Sequence, residues 1–244
     1  MKKQGLLFRL IKKCVKIFYK TPEFSGVENL AEEPTIIVAN HAQIHGPIIA
    51  EVYMPFKNYT WITGEMLSIK TIPNYAYEDF WRFKPKAIRW FYRLLSYIVA
   101  PLFSYIFNNA NGIGVYRDIR IANTLKNTVL KIKKGNDIVI FPENREVYNH
   151  IINDFQKNFV DVARVYFKAT GKELTFTPTY VAPTIKKVVF GKPIKFNSNA
   201  SYQEEKERIT KYLKEEITAL ALKLPSHTVI PYENIKKKHY KKSK

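Results

Sequence analysis

Short apolar runs rich in β-branched residues alternate along the chain with segments of helical periodicity, and this alternation restricts the possible folds strongly. A segment with one apolar stripe at helical spacing occupies residues 120–134 and stops at Gly135, a residue type common just after helices. Strands that alternate with helices favour a largely parallel or mixed sheet with helices packed against it. We therefore predict an α/β fold class, with strands at residues 35–39, 112–116, 137–141, 176–181 and 187–190.

The length of the chain favours one such domain with short appendages. A chain of 244 residues can fold around a single hydrophobic core, and no internal repeat or linker marks a second domain. Ser201 and Glu204 form a capping-box pattern before a long helix that ends at Pro225. We expect the α/β domain over residues 23–230, after a helix in residues 1–22 and before a basic tail at 231–244. Such like-charge blocks are usually solvated and disordered, and contact with lipid headgroups is the alternative.

The excess of positive charge indicates polyanionic partners. Forty Lys and Arg residues against 21 Asp and Glu residues give a formal net charge of +19, which attracts nucleic acid, anionic lipid or phosphorylated substrates. Aromatic residues make up 14% of the chain and can stack on bases, so nucleic-acid binding stays an alternative. No helix-turn-helix, RNP or zinc-finger pattern supports it, and no specific nucleic acid is expected.

Two segments predict contact between the protein and a membrane surface. Residues 5–20 form a basic amphipathic helix, and residues 87–107 are dominated by apolar and aromatic side chains. The charge-free part of the second segment, residues 94–107, is shorter than the ~20 residues of a spanning helix. We interpret both as shallowly embedded helices, with a packed surface helix and a buried core helix as the respective alternatives. The single cysteine, Cys14, is typical of a reducing compartment, so we expect a peripheral or monotopic protein on the cytoplasmic face.

An Asn-His pair, Asn40 and His41, follows the predicted strand at 35–39 and precedes a helix predicted near Pro47. Ligands often bind at the carboxyl ends of strands in α/β sheets. A neutral imidazole at this position can serve as a general base. Binding of a metal by His41 and His45 would need both on one helix turn, and no supporting motif is present, so no metal is expected.

The segment VANHAQIHGP, residues 38–47, resembles the first motif, NHxxxxD, of the glycerol-3-phosphate and lysophosphatidate acyltransferase family. Further segments resemble later blocks of that family and follow in the same order. The resemblance extends over roughly residues 25–200 and includes GIGVYRD (112–118), FPENR (141–145), TPTYVAP (177–183) and VVFGKPI (188–194).

This resemblance implies transfer of a fatty acyl group from an acyl-CoA or acyl-carrier-protein thioester to a hydroxyl of a lysophospholipid or glycerol phosphate. The reaction would take place at the surface of an anionic membrane, without a cofactor. His41 would be the general base, and Arg117 would bind the phosphate of the acceptor. The substrate-binding residues that the motifs imply are Asn40, Arg117, Glu143, Asn144 and Arg145.

The chain departs from the family pattern at a position that bears on activity. Gly46 stands where the family has an aspartate. In the segment FPENR, which resembles the third motif, FPEGTR, Asn144 replaces the glycine and Arg145 falls where threonine would lie. In triad-type enzymes, loss of the carboxylate that orients the histidine costs on the order of 10⁴ in turnover. A carboxylate at Glu51, Glu78 or Asp79 is a candidate replacement. The alternative is a catalytically impaired, lipid-binding pseudoenzyme of the same fold.

Overall fold

The structure is a computed structural model that describes residues 4–82 and 84–244. Its α-helices are α1 (Leu6–Phe18), α2 (His45–Val52), α3 (Ile72–Ala76), α4 (Arg89–Asn109), α5 (Ile121–Ile132), α6 (Asp161–Thr170) and α7 (Tyr202–Lys223). Its strands are β1 (Glu23–Ser25), β2 (Ile36–Ala39), β3 (Asn58–Thr63), β4 (Gly112–Val115), β5 (Asp137–Ile140), β6 (Glu143–Val147), β7 (Asn153–Phe155), β8 (Thr175–Ala182), β9 (Lys187–Phe190) and β10 (Ile194–Lys195).

An eight-stranded sheet has the order β1-β9-β8-β2-β5-β3-β4, with β10 also paired to β8. The pairs β8–β2, β2–β5 and β5–β3 are parallel, whereas β9 and β10 run antiparallel to β8. Strands β6 and β7 form a separate antiparallel pair. The predicted α/β class, a central mostly parallel or mixed sheet flanked by helices, is confirmed.

The central strands are apolar along their whole length because both faces of the sheet are covered. Ile36, Ile37 and Val38 of β2 are each 0% exposed, and the paired strand β5 is similarly buried. Continuous apolar runs are typical of parallel strands buried on both faces. The pairing of Ile36 with Ile138 on one side and with Phe176 on the other places the carboxyl end of β2 in the middle of the sheet.

The chain contains two compact units. One comprises Met1–Tyr19 and Trp61–Thr124, and the other comprises Lys20–Thr60 and Leu125–Lys244. In the second unit, α7 packs against β8. Its first turn shows the predicted cap, because the Ser201 side chain accepts a hydrogen bond from the Glu204 backbone N–H at 3.3 Å.

In the first unit, most of α4 is exposed or half-buried, so the alternative of a buried core helix for residues 87–107 is wrong. Ser96 and Ala100 are the buried residues of α4, and Ala100 packs with Met66 and Ile72. The stretch Lys86–Asn109 is long and apolar enough to cross a membrane by length and composition, with 11% of its apolar window buried. The exposed apolar residues of α4 are Trp90, Phe91, Leu94, Tyr97, Ile98 and Leu102.

Helix α1 also exposes apolar side chains on the first unit. Its buried residue is Phe8, and the Gly5 N–H at its start donates to Asn109 Oδ1 at the end of α4, at 3.0 Å. The surrounding apolar side chains remain in contact with solvent, at 87% exposure for Phe18. They are Leu6, Leu7, Leu10, Ile17 and Phe18.

The carboxyl-terminal residues, expected to be a disordered tail, instead form a hairpin that packs within the second unit. Thr228 and Lys242 form an antiparallel bridge, and the Val229 N–H donates to the Lys241 carbonyl at 2.9 Å. Ser243 is 0% exposed and lies 3.1 Å, Oγ to Nδ1, from His227. The Tyr180 hydroxyl lies 2.9 Å from the other ring nitrogen of His227, so a buried polar network anchors this segment.

Candidate functional site

The His41 imidazole lies between β2 and α2, as the sequence predicts, and its surroundings are aromatic. The rings of Phe141 and Tyr232 make edge contacts with it, at centroid distances of 5.3 and 5.6 Å. Its Nδ1 atom is buried and has no hydrogen-bond partner in the part of the chain that the structure describes. Burial lowers the pKa of His41 to about 4, and a backbone contact with Gln43 acts weakly in the opposite direction. The imidazole is therefore neutral at physiological pH.

A tight turn after His41 sets the position of this ring. Ala42 and Gln43 both have left-handed backbone conformations, with φ angles of 45° and 54°, which are uncommon for residues other than glycine. The turn is closed by hydrogen bonds of 3.1 Å from the His45 N–H to the Ala42 carbonyl and from the Gly46 N–H to the His41 carbonyl. Backbone strain of this kind often accompanies functional sites.

This turn bears on the metal hypothesis as well. His41 lies before α2, which begins at His45, so the two imidazoles do not share a helix face. Across residues 4–82 and 84–244, no group of three or more His, Cys, Asp or Glu side chains is placed to hold a metal ion.

Glu143 holds the backbone of His41 and leaves its imidazole without a carboxylate partner. One carboxylate oxygen accepts from the His41 N–H at 2.5 Å, and the other accepts from the Asn153 N–H at 2.9 Å. The side chain is 3% exposed, and burial raises the pKa of Glu143 to about 7, against the effect of the two N–H donors. Glu143, predicted to bind substrate, thus links the His41 turn to the start of β7.

Asn40, also predicted to contact substrate, is fully engaged with the backbone of β8. Its Nδ2 donates to the Val181 carbonyl at 3.0 Å, and its Oδ1 accepts from the Val181 N–H at 2.7 Å. The side chain is 2% exposed. Asn40 therefore links the end of β2 to β8 and has almost no surface left for a ligand.

The other predicted site residues are more accessible. Asn144 Oδ1 accepts from the Glu146 N–H at 2.7 Å and shapes the loop at β6, while Arg145 is exposed on that strand. Arg117 is exposed after β4 in the first unit. Among the described residues, neither arginine forms an ion pair, so both guanidinium groups are available to an anionic ligand.

Position 46, where the motif resemblance predicts an aspartate, has no room for a side chain. A Cβ atom there would lie 2.6 Å from the His41 carbonyl oxygen and 2.7 Å from Cε1 of Phe141, closer than carbon atoms approach in real structures. The first turn of α2 therefore packs directly on the His41 loop. None of the carboxylates proposed from the sequence as replacements bonds to Nδ1, since that atom has no partner among the described residues.

We expect Gly46→Ala to lower the free energy of unfolding by about 1–3 kcal/mol, as overpacked sites generally do. The larger Gly46→Asp change should destabilise the protein further and should not increase turnover, because the carboxylate cannot enter without displacing Phe141 or the His41 loop. Urea unfolding of both variants measures this effect. A Gly46→Asp protein as stable as the wild type would show that the loop has room for the family residue.

Sequence analysis missed several residues around His41. Phe141 belongs to the segment FPENR, but nothing in the sequence marks it as a neighbour of the imidazole. Tyr232 lies in the segment that the sequence predicts to be a tail. Gln43 was not singled out, although its side chain bonds to that same segment. No periodicity or motif marks these contacts, because they join positions more than 90 residues apart in the chain.

Comparison with solved structures relates the fold to an acyltransferase. The crystal structure of the 1-acyl-sn-glycerophosphate (LPA) acyltransferase PlsC from Thermotoga maritima matches this chain with a TM-score of 0.51 and 17% sequence identity. The match covers 90% of this chain and 81% of that one. No protein-family model and no curated protein sequence matches the chain. The chain thus shares the fold of this LPA acyltransferase, at a low level of sequence identity.

Proposed function

We propose that this protein transfers a fatty acyl group from an acyl thioester to a hydroxyl of a lysophospholipid or glycerol phosphate, with His41 as the general base. The observation that carries the proposal is the neutral imidazole at the carboxyl end of β2, in a fold shared with an LPA acyltransferase. A positioned general base contributes typically ~10²–10⁴-fold to a rate.

In the proposed reaction the acceptor hydroxyl donates its proton to Nε2 of His41 as its oxygen attacks the thioester carbonyl. Collapse of the tetrahedral intermediate breaks the carbon–sulfur bond, and the proton passes from the imidazolium to the departing sulfur. The products are an ester and a free thiol. As the motif resemblance implies, Arg117 would bind the acceptor phosphate through paired charge-assisted hydrogen bonds.

The same site predicts that catalysis is slow. Burial lowers the pKa of His41 from 6.5 to about 4, which corresponds to about 3 kcal/mol against formation of the imidazolium. No carboxylate among the described residues bonds to Nδ1 to offset this. These two observations favour a second candidate function, a lipid-binding pseudoenzyme of the same fold.

Purified protein with a long-chain acyl thioester and lysophosphatidate tests the first candidate function. We expect phosphatidate in the reaction mixture by mass spectrometry, and an equal amount of free thiol. If no thioester or acceptor yields product while lysophosphatidate still raises the melting temperature, the pseudoenzyme explains the site, because a ligand that binds the folded state stabilises it by mass action.

We also propose that α1 and α4 hold the protein on the cytoplasmic face of an anionic membrane. Both helices expose apolar side chains, and Arg9, Lys13 and Lys16 are exposed on α1. Amphipathic helices with lysine and arginine beside an apolar face bind at the boundary of lipid headgroups and acyl chains. An interfacial arrangement and a spanning α4 are both compatible with the exposure of these helices.

Replacing Leu6, Leu10 and Phe18 by serine should weaken binding to anionic vesicles about tenfold or more, because each exposed side chain loses its burial in lipid. Phe8 stays in place, so the helix keeps its packing. A matched control replaces the exposed Leu130, Val147 and Leu222 by serine. If co-sedimentation with vesicles fell equally in both variants, or in neither, α1 would not be part of the membrane-binding surface.

A further inference from the structure

The carboxyl-terminal segment forms a strap over the candidate base. We use the name strap for residues 231–240, the tip of the hairpin whose base is the Thr228–Lys242 bridge. Tyr232 of the strap makes the edge contact with the His41 ring. The strap therefore supplies one of the two aromatic rings that pack against the imidazole.

Gln43, a residue of the His41 loop, makes polar contacts to the strap. Gln43 Nε2 donates to the Glu233 carbonyl at 2.9 Å and to the Tyr240 hydroxyl at 2.9 Å, and the Tyr240 hydroxyl lies 3.2 Å from Gln43 Oε1. The other strap residues are mostly exposed to solvent. Tyr232 and Gln43 thus both hold the strap against the His41 loop.

The base of the hairpin is held far more firmly than its tip. His227 and Ser243 are 2% and 0% exposed, and both belong to the network with the Tyr180 hydroxyl. The Ser243 N–H donates to the His227 carbonyl at 2.9 Å, and Val229 is 3% exposed. Movement of the strap would leave this anchor intact, so the tip can separate from His41 without unfolding of the hairpin.

The hairpin also carries a concentrated positive charge. Its one acidic residue is Glu233, whereas its lysines are all exposed and form no ion pair with the residues that the structure describes. Clusters of four to eight basic residues bind anionic lipid headgroups electrostatically. The lysines are Lys236, Lys237, Lys238, Lys241, Lys242 and Lys244.

We propose that an anionic lipid surface binds these lysines and draws the strap away from His41, so that the candidate base is uncovered only at the membrane. Lipid is the occupant that fits, because the same chain exposes the apolar faces of α1 and α4. The importance of uncovering His41 rests on the proposed function. The movement of the strap can be measured without any turnover.

Spin labels report this movement directly. In a Cys14→Ser background, one label is placed on α6 through Lys168→Cys and the other on the strap through Asn234→Cys; both positions are exposed. Phosphatidylglycerol vesicles should shift the main distance between the labels to a longer and broader population. Phosphatidylcholine vesicles, and a DNA duplex at the same phosphate concentration, should leave the distance unchanged.

Two controls separate the strap from the rest of the protein. A pair at Lys168→Cys and Ser226→Cys reports the hairpin base and should not respond to phosphatidylglycerol. Replacing Lys236, Lys237 and Lys238 by serine should abolish the strap shift, whereas replacing the exposed Lys126, Lys133 and Lys134, an equal loss of charge, should preserve it.

An unchanged strap distance on phosphatidylglycerol overturns the proposal, as does an equal shift with DNA or in the triple-serine strap variant. A strap that responds in a protein without acyltransferase activity would refute the proposed function alone. Activity with a strap that never moves would refute the strap mechanism alone.

Discussion

The free energy of unfolding of a Glu143→Gln variant should rise with pH between about 4 and 6.5, the folded and unfolded pKa values of His41. The free energy of unfolding of His41→Ala should fall between pH 4.5 and about 7, the unfolded and folded pKa values of Glu143. The two slopes have opposite signs because burial acts on an acid and on a base in opposite directions.

For His41, the folded pKa of about 4 lies below the unfolded value of 6.5, so the unfolded chain binds the proton in the interval between them. Its contribution to stability is complete above pH 6.5 and is lost as the pH falls through about 4. For Glu143, the folded pKa of about 7 lies above 4.5, so the folded protein keeps a proton that the unfolded chain releases. Its contribution is complete below pH 4.5 and is lost as the pH rises through about 7.

Each shift corresponds to about 3 kcal/mol over its interval. In the wild type the two contributions overlap and largely offset one another, so stability should vary little with pH there. Each variant removes one of them and leaves the other visible. Glutamine at position 143 also places an amide N–H₂ against a backbone N–H donor, which lowers stability at every pH but does not create the slope.

Urea unfolding at a series of pH values measures both slopes. His239→Ala, a change of an exposed histidine, is the control and should follow the wild type. If Glu143→Gln and His41→Ala both ran parallel to the wild type, neither side chain would be desolvated as the structure indicates.

Local signals in the sequence were sufficient for the main elements of the fold. The β-branched runs that became β2 and β5 are buried on both sheet faces, and β9 is buried at alternate residues, so the composition of each strand reflects its environment. The Ser201 cap marked the start of α7 because capping depends on residues only three positions apart. Short strands such as β1 and β10 were not predicted, since two or three residues carry no measurable periodicity.

The candidate site was predictable in part. The position of His41 at a strand end follows from its neighbours in sequence, whereas its link to Glu143 joins residues 102 positions apart. The motif resemblance predicts an aspartate at position 46, where the sequence has glycine. Only the coordinates show that any Cβ at this position would meet the His41 carbonyl and the Phe141 ring. The charged carboxyl terminus resembles a solvated tail in composition, and only the structure shows that its Tyr232 packs against His41.

The largest effect is expected on turnover. His41→Ala removes the proposed base while Glu143 still bonds to the backbone N–H of residue 41, so the fold should persist. A general base contributes ~10²–10⁴-fold, and a base with a pKa as low as about 4 should lie near the lower end of that range. We expect a loss of about 10²-fold in the rate of acyl transfer.

The most direct test of the central claim is the initial rate of thiol release from a long-chain acyl thioester with lysophosphatidate, on phosphatidylglycerol vesicles, in the wild type and in His41→Ala. Thermal unfolding of both proteins establishes that each is folded. The account predicts measurable release by the wild type and a rate about 10²-fold lower in His41→Ala. Equal rates of release in the two folded proteins would contradict it, because the reaction would then proceed without His41.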